Sequence, residues 1–389
     1  MARITIHPSV VLDVTDVDFS TLLYGEDYST SSSRFTAYFG NGFRDTFTGS
    51  GFRYNSYDVP YAGTVTSFGW YHGSQRLVLI EGFSIPATDF VNAAYTYRGD
   101  DDRAILARML GGNDIVSLGE FSDYVRGFSG NDSIIGNGGW DTLMGDWGRD
   151  TLQGGAGNDL LMGGADADLL LGGEGVDTLS GDIGADRLFG GGGSDHLVGA
   201  GGVDFLNGDA GNDRLAGGEA NDTMIGGQGN DTLSGDAGND LLRGGTEADS
   251  LLGGVGADTL YGDAGADILV GSAGGDRLWG GVGADRFVFL NVNDSAPVPG
   301  MQDVILDFSR SQGDKLVLSA IDAKTDRFGN DAFHFIGDGR FTGEAGELRV
   351  IRQPNGVSVV QADTNGDGHP DLAFNVIGAT NLVASDFVL

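Results

Sequence analysis

Between residues 114 and 285 the chain keeps one acidic and one apolar position in a frame of nine. Aspartate recurs at every ninth residue from Asp114 to Asp285, twenty times with no insertion. Two residues after each comes an apolar side chain, from Val116 and Val125 through Ile134, Leu143 and Leu152 to Leu278 and Phe287. From Gly127 to Gly280 a glycine opens each of eighteen nonads, and the stretch GGQGNDTLSGDAGNDLLRGG, residues 226–245, shows the phrase twice. Its GGxGxD half predicts a turn, because glycine at the first, second and fourth places permits φ > 0. Its xLx half predicts a short strand whose central residue points inward and whose neighbours point outward. One unit alone has nowhere to bury its leucine. Two make an eighteen-residue coil, and coils stacked about 4.8 Å apart pair their strands in parallel, so the pattern predicts an all-β, right-handed parallel β-roll of about ten coils. A flexible linker of Gly and Ser would not hold an apolar residue in register.

The flanks read differently. Residues 1–108 are aromatic-rich, and RFTAYFG, FRDTFTG, GTVTSFGWY and QRLVLIEGF alternate as strands do, with YHGSQ as a hairpin connection. DDDRAILARML reads as a capped helix with Ile105, Leu106, Met109 and Leu110 on one face, feeding a roll over residues 109–288. Residues 289–389 carry further short β-runs, among them GELRVI and GVSVVQADTNGDGHPDLAFNVIG.

Composition narrows the chemistry. Acidic residues outnumber basic ones 56 to 22, a formal charge of -34, which argues against nucleic acid, because phosphate binding needs clustered Lys and Arg, and makes cations the natural partners. With no Cys there is neither a disulfide framework nor a thiolate metal site. No run of 18 apolar residues predicts a membrane span, and the apolar run before Asp13 is too short for a cleaved secretory signal.

Stacking eighteen-residue coils places the aspartates in two rows. Asp132, Asp150, Asp168, Asp186, Asp204, Asp222, Asp240, Asp258 and Asp276 fall on one edge. Asp141, Asp159, Asp177, Asp195, Asp213, Asp231, Asp249, Asp267 and Asp285 fall on the other. Neighbours in a row would lie about 5 Å apart and repel by roughly 3 kcal/mol per pair at an effective dielectric of 20. A narrow apolar row cannot offset the ordering of so much glycine-rich backbone, so cation binding and folding are expected to be one event. Carboxylate and carbonyl oxygens without Cys select Ca²⁺ over Zn²⁺ or Cu²⁺.

The phrase GGxGxDxUx resembles the repeat of the RTX (repeats-in-toxin) calcium-binding proteins, weakly in MLGGNDIVS and LGEFSDYVR and strongly thereafter. The resemblance implies Ca²⁺ between turns of successive coils, held by the motif Asp of both and by backbone carbonyls of the first four positions, with roughly sixteen ions as the ceiling. Asp166, Ala220 and Glu247 replace the fourth-position glycine, as does Phe121 in the weak start, and mark the turns that depart from the family's pattern. Extracellular Ca²⁺ modules bind at about 0.1–1 mM, so such an array stays empty inside a cell and fills outside.

The last hundred or so residues, ending in Asp386, Phe387, Val388 and Leu389, resemble the C-terminal domain of serralysin-type RTX proteins. That likeness implies a cap on the roll and an uncleaved type I secretion signal. Asp363, Asn365, Asp367 and Gly368 match half of an EF-hand loop, but Phe374 stands where a bidentate Glu belongs, which favours a hairpin.

Signs of catalysis are scarce. HExxH and GxSxG are absent, and His7, His72, His196, His334 and His369 are scattered, with His196 at an outward strand position. Trp70, Tyr71 and Tyr57 are candidates for a sugar platform, with core packing as the plainer role. Outward ninth positions on one face, Ile135, Gln153, Leu171, Phe189, Asn207, Ile225, Arg243, Tyr261 and Trp279, form a largely apolar stripe that a terminal domain or a second copy would cover. The expectation is a secreted, extracellular, non-enzymatic calcium-binding protein. It would leave the cell through type I secretion machinery and serve a structural or adhesive role, on surface or matrix polysaccharide or by self-association. The alternative is a polysaccharide-acting enzyme or carbohydrate-binding module with its site in residues 1–108.

Overall fold

Strands form wherever the nonad places its apolar residue, and each is longer than the xLx triplet. In the computed structural model the typical strand has six residues, as in Thr142–Trp147, with alternating burial that puts Leu143 and Gly145 inside. The strand thus takes in the first three positions of the next nonad, and the turn proper shrinks to the last half of GGxGxD. The structure describes residues 3–6, 27–31, 34–38, 43–54, 60–72, 75–86 and 111–389, apart from 299, 325–330 and 380. The described chain is all-β, with a parallel solenoid of about ten turns over residues 115–287, and the one helical element among the described residues is the 3₁₀ turn Ala384–Asp386. The candidate helix at 100–110 lies outside the described residues, as do Tyr57 and the side chains of Trp70 and Tyr71. The chain divides into two compact units, Met1–Arg187 and Leu188–Leu389.

In the first unit, Arg34–Tyr38, Phe43–Tyr54, Pro60–His72 and Gln75–Pro86 pair antiparallel in sequence order, with His72 opposite Gln75 at the expected hairpin. Arg3–Ile6 then joins two architectures. It pairs antiparallel with Gln75–Pro86 on one side and parallel with Ile115–Ser117, the first roll strand, on the other. From there strands pair in parallel eighteen residues apart, Ile115–Ser117 with Ser133–Gly138, and Tyr124–Arg126 with Thr142–Trp147. The core of this part is a single file of fully buried side chains: Val125, Ile134, Leu143, Leu152, Leu161, Leu170 and Leu179.

The second unit has its own eighteen-residue register, from His196–Gly201 through Ile268–Ala273 on one sheet and from Phe205–Ala210 through Arg277–Trp279 on the other. Beyond the repeats the same sheets go on. Arg286–Val288 pairs with Lys315–Val317, and that strand with Phe387–Val388. Arg277–Trp279 pairs with Val304–Ile305, and that strand with Leu372–Ile377. The core widens here to aromatics, with Phe289 stacked on Phe374 at 4.1 Å. Leu372–Ile377, Val357–Asp363 and Glu347–Arg352 form an antiparallel meander. Its Asp363–Asp371 connection is a hairpin: the Asp363 carboxylate accepts the N–H groups of Asn365, Gly366 and Gly368, turning its oxygens into loop closure.

Candidate metal centre

The motif aspartates are held by the strand register. Asp213 donates its backbone N–H to Asp231 Oδ1 at 2.8 Å, Asp231 donates to Asp249 Oδ1 at 2.8 Å, and Asp249 donates to Asp267 Oδ1 at 2.9 Å. The other row does the same through Asp204, Asp222, Asp240, Asp258 and Asp276. In the first unit one ladder runs Asp132, Asp150, Asp168, Asp186 and the other Asp141, Asp159, Asp177. Asp195 opens the ladder to Asp213, and Asp285 accepts from Asp267. All eighteen expected ligand positions are therefore brought to rows eighteen residues apart within their units, each aspartate no more than 3% exposed.

In fourteen of these carboxylates one oxygen is thus used and the other is left over. Oδ2 of Asp132, Asp141, Asp150, Asp159 and Asp168, and of Asp213, Asp222, Asp231, Asp240, Asp249, Asp258, Asp267, Asp276 and Asp285, is buried with no hydrogen-bond partner. A buried carboxylate oxygen without a donor is costly, and a hard cation is the partner that satisfies a row of them. Burial, offset in part by the neighbour's N–H and reinforced by the adjacent carboxylates, pushes Asp213, Asp222 and Asp249 up to about 7.

The first glycine of the nonad explains itself here. It does not take the left-handed conformation expected of it; the second position does in every nonad from Gly127 onward and the fourth in most. Its inward face lies against the leftover oxygens: a Cβ on Gly226 would stand 2.3 Å from Asp231 Oδ2 and 2.6 Å from the Gly244 carbonyl of the next coil. A carboxylate oxygen and a carbonyl oxygen from successive coils therefore face one space, which fits Ca²⁺ held by few side chains and many carbonyls. Among the described residues, no group of three or more His, Cys, Asp or Glu side chains converges on a point.

Departures from the glycine pattern are absorbed. Asp166, Ala220 and Glu247 take φ of 78°, 82° and 71° in place of glycine, and Asp168, Asp222 and Asp249 beside them stay buried in their ladders. His196 is exposed. The outward stripe partly covers itself in the second unit, where Tyr261 stacks on Trp279 at 4.5 Å and the Arg243 guanidinium lies 5.9 Å from the Tyr261 ring.

Several contributors escape the sequence reading. Asp114 and Asp123, in the weak opening nonads, already donate to Asp132 and Asp141, a coil earlier than the first expected ligands. Past the repeats the rows reach Asp303 and Asp314, 27 and 29 residues on from their partners instead of 18. The variable fifth position also has a use. Asn212, Asn221, Asn230 and Asn239 accept the fifth-position N–H of the coil above, and the recurrence of Asn there was the available signal.

The family comparison agrees with the repeat reading. The family described as the RTX calcium-binding nonapeptide repeat (4 copies) matches in overlapping windows, from residues 110–143 through 261–296. A similar solved structure is the solution structure of the AlgE6R3 subunit from the Azotobacter vinelandii mannuronan C5-epimerase, 34% identical over 39% of this chain and 77% of that one, with a TM-score of 0.30. No curated protein matches the chain.

Proposed function

This chain belongs to the RTX calcium-binding nonapeptide-repeat family, and we propose that it is a secreted, non-enzymatic protein whose β-roll assembles on meeting extracellular Ca²⁺. The observation that carries the reading is the pair of rows of buried Oδ2 atoms with no protein donor. Bound Ca²⁺ supplies the positive charge and the oxygen-seeking coordination those rows need. The chain's own residues do the rest. The ladder of Asp N–H groups fixes each carboxylate's Oδ1, the first-position glycines keep the space beside Oδ2 clear, and the leucine file closes behind them.

Before the cation arrives, rows of like charge oppose assembly, so the polypeptide can cross an export channel unfolded. Its resemblance to the serralysin-type C-terminal region supports a type I route. A calcium-stiffened roll without a catalytic constellation suits a structural or adhesive component of a cell surface or matrix. Circular dichroism through a calcium titration, paired with sedimentation, tests the coupling: a sharp gain of β signal near millimolar Ca²⁺ is expected, and high β content in chelator overturns it. Incubation of the loaded protein with bacterial exopolysaccharides tests the role, since turnover would make it an enzyme and retention without turnover a binding component.

A further inference from the structure

The two aspartate rows end differently at the C-terminal side. On one, Asp285 donates its N–H to Asp314 Oδ1 at 3.2 Å, and Asp314 Oδ2 accepts the Ser309 N–H at 2.7 Å. Around it, Asp307 accepts the N–H groups of Gly280 and Gly281, and Gln312 accepts that of Gly283. Protein donors and acceptors therefore close this edge, and Asp314 has no oxygen to spare.

On the other row, Asp276 donates to Asp303 Oδ1 at 3.0 Å, and the strand beginning at Val304 hydrogen-bonds to the Asp276 carbonyl at 2.8 Å. Asp303 thus stands over Asp276 as each motif aspartate stands over the one before it, although 27 residues separate them instead of 18. Its carboxylate is 1% exposed, and neither its Oδ2 nor that of Asp276 has a hydrogen-bond partner. The segment leading to it carries an oxygen too, for the Gly300 carbonyl lies 2.6 Å from where a Cβ on Gly275 would sit. Asp294 adds negative charge nearby, with its Oδ2 fixed by the N–H groups of Leu290 and Asn291.

We propose that the gap between the Gly271–Asp276 turn and the Gly300–Asp303 segment is a further Ca²⁺ site, ligated by Asp276 and Asp303, that fastens the C-terminal cap to the roll on this edge only. The inference rests on the calcium reading of the repeats and adds a site between the last coil and the segment beyond them.

The test uses the full chain and counts bound Ca²⁺ after equilibrium dialysis in millimolar calcium. Asp303→Asn keeps an Oδ1 acceptor for the Asp276 N–H and is expected to hold one ion fewer than the unaltered chain, while Asp314→Asn is expected to hold the same number. Both variants keep the oxygen that accepts the neighbouring Asp N–H, so a merely structural carboxylate would leave the ion count unchanged in each. An unchanged ion count in Asp303→Asn, or an equal loss in Asp314→Asn, overturns the site. Should Asp303→Asn fail to fold in calcium, anomalous scattering from crystals of the unaltered chain decides: a peak between Asp276 and Asp303 supports the site, and peaks confined to the repeats refute it. Absence of bound calcium throughout would instead sink the reading of the repeats.

Discussion

Replacing Gly226 with alanine tests whether the nonad's first glycine exists to clear space beside a carboxylate. The added methyl would lie 2.3 Å from Asp231 Oδ2 and 2.6 Å from the Gly244 carbonyl, and neither atom belongs to a side chain free to swing away. Restoring a tolerable 3.0 Å contact means displacing the carboxylate by about 0.7 Å, which stretches the 2.8 Å bond from the Asp213 N–H toward about 3.5 Å, the edge of hydrogen bonding. Overpacking of this kind costs about 1–3 kcal/mol, and weakening a charge-assisted bond adds about 1 kcal/mol, giving about 2–4 kcal/mol in all. In saturating calcium, amide exchange in the strands Thr232–Ala237 and Leu241–Thr246 should then quicken by roughly thirty- to a thousandfold. Asp236→Ala, one residue further along the equivalent strand, is the control: its side chain only accepts the Ser234 hydroxyl, and alanine already holds the same kind of backbone at Ala200, with φ of 75° against 66° for Asp236. Exchange in Gly226→Ala matching the unaltered chain, or equal damage from Asp236→Ala, would refute the reasoning.

Three further outcomes follow from the same coordinates. Burial lifts Asp213, Asp222 and Asp249 to about 7 in the cation-free roll, against about 3.9 in an unfolded chain, so the penalty for folding without calcium is complete above pH 7 and gone below about pH 4. In chelator, circular dichroism should therefore show more β signal at pH 5 than at pH 8, and equal signals would contradict it. Arg310 forks onto the fully buried Asp386 carboxylate, and Arg310→Ala should cost about 2–3 kcal/mol, less than for a pair buried on both sides, because the arginine is half exposed. The readout is faster exchange where Lys315–Val317 pairs with Phe387–Val388, with no change in the repeats. Asn239→Ala removes an acceptor that takes the Ala257 N–H at 2.8 Å on an exposed turn, and thermal unfolding should show a loss below about 1 kcal/mol.

The frame of nine was enough to recover the two parallel sheets, the buried leucine file and both aspartate rows, because a solenoid is quasi-one-dimensional and each residue meets its counterpart at a constant separation along the chain. What one residue does alone was not in the pattern. The reason for glycine at Gly226 is an oxygen of Asp231 and a carbonyl eighteen residues on, a contact that exists only once coils stack. Asp303 and Asp314 were invisible for the opposite reason: connecting segments break the eighteen-residue spacing, and only the pairing of Val304–Ile305 and Lys315–Val317 with the last repeats sets them over Asp276 and Asp285. Periodicity determined which residues form the ladder. Tertiary stacking decided which carboxylate oxygens are left without a donor, since burial and hydrogen bonding are properties of neighbours in space.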